Sequence, residues 1–95
     1  MKLLKVGRSD RPLKKYVATF EIDGKTKTVH FGSATSKTYL DHHDTTKREN
    51  YIKRHKVREN FNDPLTAGSL SKHLLWGPTT SLQQNIKLFK KQFNL

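Results

Sequence analysis

Cysteine is absent from the 95 residues, which excludes disulfides, thiolate zinc sites and cysteine nucleophiles and leaves His and carboxylates as the only candidate metal ligands. Acidic residues are scarce: 8 Asp and Glu stand against 19 Lys and Arg, a formal charge of 19 − 8 = +11. Long apolar runs are missing as well. No window approaches the roughly 20 apolar residues that span a bilayer. The N-terminal MKLLKVGRSDR lacks the apolar stretch of a secretory signal, so a soluble protein that is not secreted is expected. Neither a glycine-rich phosphate loop nor a nucleophile elbow is present, so no enzymatic activity is expected and no cofactor is implied.

What the chain does carry is patterned charge. Apolar and aromatic residues make up 33%, low for a globular protein but gathered in short runs, so 1–95 reads as a single small basic domain with a modest core. Residues 1–32 hold eight cations and three acids (+5), residues 33–64 seven and five (+2), residues 65–95 four and none (+4). Such a spread points to a wide electrostatic surface rather than a polybasic tail, and to a phosphate-rich partner.

The order of elements reads as α+β: a short antiparallel β-hairpin or meander over 1–32, then about three helices over 46–95. Leu3, Leu4 and Val6 form a brief strand ended by Gly7, Ser9, Asp10 and Pro12. YVATFEID and KTKTVHFG flank Asp23-Gly24, a pair suited to a two-residue turn with positive φ at both centres. Thr46 with Glu49 has capping-box spacing and predicts a helix running to about Asn60, ahead of Asn62, Asp63 and Pro64. SLSKHLLW predicts a short helix with Leu70 and Leu74 one turn apart, stopped by Gly77-Pro78. Thr80 with Gln83 then caps a last helix, whose stripe is Leu82, Ile86, Phe89 and Phe93.

Arg48, Lys53, Arg54, Lys56 and Arg58 on the basic helix are the first candidates for phosphate contact. Lys14, Lys15, Lys25 and Lys27 on the hairpin come second. Asn50 and Arg54 are of a type that reads base edges, yet residues like these are common on any basic helix. Asp41, His42, His43 and Asp44, with His55, are metal-ligand types. Neighbours in sequence usually diverge, so metal binding is not expected, and these side chains read instead as packing and helix-entry groups. Trp76, Phe61 and Tyr51 are read as core aromatics before base-stacking platforms.

The combination VHFG, Tyr39, Asp41, His43, Asp44, Arg48, YIKRH, REN, then an aromatic, DP, TAG, LS and LLW, over residues 28 to 78, resembles a family of small basic proteins of unknown function. That family is encoded by large double-stranded DNA viruses of algae and protists. Phe61 stands where the resemblance places tryptophan. The resemblance implies production in an infected eukaryotic cell, in nucleus or cytoplasm, and packaging in the virion; it supplies no catalytic residues. Together these readings predict a non-enzymatic, largely sequence-independent binder of double-stranded DNA. The alternative is a small virion protein that matches an acidic capsid surface, with Phe89 and Phe93 as partner anchors. The terminal stripe would also suit a homodimer that exchanges its last helix. A metal-dependent nuclease using His43 is the third reading.

Overall fold

A computed structural model describes residues 1–95: a three-stranded antiparallel sheet followed by helices, an α+β arrangement. The strands are β1 (Lys2–Arg8), β2 (Lys14–Ile22) and β3 (Lys25–Ser33), in the order β1-β2-β3. Asp23 and Gly24 take φ of 52° and 79°, the positive values that the hairpin turn demands. In the β2–β3 register Tyr16 faces Phe31, Ala18 faces Val29 and Phe20 faces Lys27. One face of the hairpin is therefore apolar at its open end and cationic toward its tip. β1 reaches the same face by means of a bulge. Leu3 pairs with Phe20 and Lys5 with Thr19, leaving Leu4 extra, so Leu3 and Val6 both turn inward despite their odd spacing.

After β3 the chain makes one helical turn, α1 (Tyr39–His42), then α2 (Thr45–His55) and α3 (Ala67–Leu70). A π-helical turn follows directly at Ser71–Leu75, and α4 (Leu82–Phe93) ends the fold. α3 and the π turn pack on β3, and α4 packs on the π turn. Between them lies a core of Leu3, Ala18, Phe20, Phe31, Leu70, Leu74, Leu75 and Phe89. Each large member contributes about 1.5–3 kcal/mol by burial, so the seven beside Ala18 leave little margin. Gly32, at φ 79°, also makes room: a Cβ there would stand 2.8 Å from Leu75 Cδ1. No helix is long and apolar enough to cross a membrane.

Three expectations shift. α2 is capped by Asp44, whose Oδ1 accepts from the N–H groups of Thr46 and Lys47 at 3.0 and 3.1 Å, rather than by Thr46. It ends at His55 rather than near Asn60, because past Ile52 it has no apolar residue to press inward; Val57 is 79% exposed. α4 starts one residue later than expected: Ser81 Oγ accepts from Gln84 N–H at 3.2 Å. Just ahead of the expected cap Thr80, the hydroxyl and N–H of Thr79 both donate to Oδ1 of Asn85, at 2.7 and 3.1 Å. Asn85 is 1% exposed and also donates to the carbonyls of Leu74 and Thr79, so every polar group it buries has a partner.

The anchors expected to meet a partner belong to this core. Phe89 is 1% exposed, and Phe93 packs on it with ring centroids 5.0 Å apart. Both rings also touch His73, so the α4 stripe closes the core of its own chain.

Candidate nucleic-acid interface

The dense run between Tyr39 and Trp76 folds into a ladder of rings. Tyr51 and Trp76 stack nearly parallel, 4.3 Å apart at 4°. His55 covers the other face of Tyr51 at 4.1 Å, and His42 lies against Trp76 at 5.2 Å, with Tyr39 beyond it. The i, i+4 spacing of Tyr51 and His55 places both on the inward side of α2. Burial, reinforced by the Glu59 carboxylate, pushes the Tyr51 hydroxyl up to about 12, so it stays neutral. Tyr51 is thus stacked on both faces, whereas Trp76 is stacked on one and met by a tilted ring beyond it, which makes the pair a poor platform for bases.

Arg48 belongs to the same assembly. Its Nε–H donates to the carbonyls of Trp76 and Gly77 at 3.1 and 2.7 Å, and its guanidinium lies 5.7 Å over Tyr39. This corrects its placement among the phosphate contacts: it ties α2 to the turn after Leu75. Lys15 is also engaged, donating to the Ser36 carbonyl and pairing with Asp41 at 3.9 Å. It is the only Lys or Arg in an ion pair with a carboxylate; the His55 ring lies 3.7 Å from the Glu59 carboxylate.

The His and Asp cluster of α1 is spent on local geometry. Asp41 Oδ2 accepts from the N–H of Thr38 at 2.7 Å, and that bond, ahead of the hydroxyl of Thr38 and the charges of Lys15 and Lys37, holds its carboxyl below the usual range. His43 Nε2 bonds the Leu40 carbonyl at 3.2 Å. His42 Nδ1 accepts from Asp44 N–H at 3.0 Å, which leaves the ring proton on Nε2, a buried donor without a partner. No three His, Asp or Glu side chains converge on one point.

Cations gather where α2 faces the loop after β3. A basin of about 610 Å³ is lined by Lys37, His42, Lys47, Asn50, Lys53, Arg54 and Trp76, with no carboxylate among them. Glu49 lies about 140° around α2 from Arg54 and about 40° from Lys53, but it forms no ion pair and does not line the basin. Beside the basin a cleft of about 720 Å³ runs between the open end of the hairpin and α2, and Lys14, Lys37, Arg54, His55, Glu59 and Trp76 are among its walls. Of the predicted contacts the structure brings together Lys53, Arg54 and Lys14. Lys56 and Arg58, exposed in the turn after α2, line neither hollow. Lys25 and Lys27 stand toward the hairpin tip, opposite Ile22 and Phe20, about 20–26 Å along the strands from Lys14 at ~3.3 Å per residue. Hairpin tip and basic helix therefore do not form one surface. Lys37 had no signal in the sequence; it sits in an irregular stretch, and only the path of the chain sets it opposite Arg54. Lys47, one turn before Tyr51 on α2, joins them in the basin.

Fold and charge together define a small basic α+β domain with a cation-lined hollow beside a helix. The chain belongs to a family of unknown function (DUF5754), whose model matches residues 4–55, from β1 through the end of α2. No curated protein and no solved structure matches it. Both walls of the basin fall within the matched residues, whereas Trp76 lies beyond them.

Proposed function

We propose that this protein binds nucleic acid, double-stranded DNA foremost, through the phosphate backbone, without reading base sequence and without catalysis. The observation that carries the reading is the basin in which Lys37, Lys47, Lys53 and Arg54 meet with no carboxylate among them. Uncompensated cations at such density attract phosphates and release the counterions condensed on them. The stacking of Tyr51 between His55 and Trp76 also favours backbone over base recognition. The resemblance to proteins of large DNA viruses supplies the setting, a protein made in the infected cell and carried with the genome in the particle. A role as a cement on an acidic capsid surface loses its anchors, since Phe89 is inside the core and Phe93 packs against it.

Titration of fluorescent duplex DNA of mixed sequences at several salt concentrations tests the proposal. Four cations at the backbone predict a slope of log K against log salt of about −3.6, the same for every sequence. Equal retention of duplex DNA and of a large acidic protein, or no binding in dilute buffer, would refute it.

A further inference from the structure

The two hollows beside α2 have Lys37, Arg54 and Trp76 in common. Lys37 stands on the loop wall and Arg54 on the helix wall, so the shared residues form a saddle with a cation on either side. We infer that basin and cleft are one continuous trough that seats the sugar-phosphate backbone of one strand. Its path runs from Lys14 across the saddle to Lys47 and Lys53, with the bases turned outward. This deepens the nucleic-acid reading above and rests on it.

Three observations carry the inference. Cations on opposing walls suit a thin linear polyanion that passes between them, whereas a flat basic patch would set them side by side. The donor Asn50 lies in the basin stretch of the trough, and the carboxylate of Glu59 lines only the cleft, where the His55 ring is 3.7 Å from it. The path of the anion thus keeps to the Lys14 side there. Trp76 has one face stacked on Tyr51 and the tilted His42 ring 5.2 Å away, which crowds a base that would enter.

A chain of inorganic polyphosphate, which repeats the charge without sugar or base, is the discriminating probe. It should displace both fluorescent single-stranded and duplex DNA from the protein and perturb the emission of Trp76. Replacing Lys37 and Arg54 together by Ala should weaken polyphosphate and DNA alike by at least about tenfold near 0.15 M salt, as the loss of two phosphate contacts implies. Replacing Lys25 and Lys27, far off at the hairpin tip, should change either by less than about twofold if the trough is the seat. Both pairs are exposed or in open loops, and thermal melts confirm that the variants fold. DNA binding that polyphosphate cannot displace would overturn the trough while leaving the nucleic-acid reading intact. Equal losses from the two double variants would also overturn it, since net charge would then suffice. Polyphosphate binding without DNA binding would sink the nucleic-acid reading and keep the trough as a polyphosphate site.

Discussion

Arg48 and Arg54 lie six residues apart on one helix, yet their replacement by Ala should produce opposite signatures. Arg48 gives its Nε–H to two main-chain carbonyls, Trp76 and Gly77, and leans over Tyr39. A hydrogen bond from a charged donor is worth about 1.5–3 kcal/mol, and a cation–π contact adds roughly 0.5–1 kcal/mol. Arg48→Ala should therefore cost about 2–4 kcal/mol, which lowers the melting temperature of a domain this size by roughly 10–25 °C. Arg54 is exposed and makes no internal bond, so Arg54→Ala should leave stability within about 0.5 kcal/mol of wild type. Binding should invert the order. Removing Arg54 takes about 0.9 from the salt slope and weakens duplex binding about fivefold at 0.15 M salt. The Arg48 variant, measured where it is folded, should keep the slope of the parent. Circular dichroism melts and fluorescence anisotropy at 15 °C read the two quantities separately. An Arg48→Ala protein that melts within a few degrees of wild type, or an unchanged slope for Arg54→Ala, would refute the assignment.

Asn85→Ala removes the partner of Leu74 O and of the N–H and carbonyl of Thr79, and should cost about 2–4 kcal/mol in urea denaturation, because unsatisfied buried groups cost about 1–3 kcal/mol each. Thr79→Ala, which loses only hydroxyl bonds, should cost about 1 kcal/mol. Burial, helped by the charge of Lys72, holds His73 below its ordinary range against the opposing bond to Phe61 O at 2.8 Å. The unfolded chain thus binds a proton that the native ring refuses, so the contribution is complete above about pH 6.5 and is lost as pH falls below it. His73→Gln, which keeps a donor but cannot titrate, should flatten stability between pH 7 and 5; an unchanged acid limb would exclude His73 as its origin. Asp44→Ala should cost about 1 kcal/mol through loss of the α2 cap, and Thr46→Ala almost nothing; a reversed order would return the cap to Thr46.

The parts of the fold legible in the sequence are those where one local cause decides. Asp23-Gly24 can supply two positive φ values, and Leu82, Ile86, Phe89 and Phe93 recur at a single period, so hairpin and α4 stood out. Helix entries were harder because Asp44, Thr46, Thr80 and Ser81 are all competent caps, and the choice falls to which backbone N–H groups the fold leaves unpaired. The end of α2 was illegible because a polar run has no stripe to show where packing stops. At the candidate site, Arg54 could be found by its basic company, whereas nothing in composition separates Arg48, which serves the interior, from its neighbours. Lys37 gains meaning only from the chain path that brings the loop after β3 against α2.

The extra residue at Leu4 bears on crowding. A ligand that lines up many copies side by side brings open strand margins close together, the condition under which sheets zip into fibres. Here the β1 margin is kinked at Leu4 and studded with Lys2, Lys5 and Arg8, while the β3 margin begins with Lys25 and Lys27, so an incoming strand meets broken register and like charge at either side. Close-packed copies can therefore remain separate molecules.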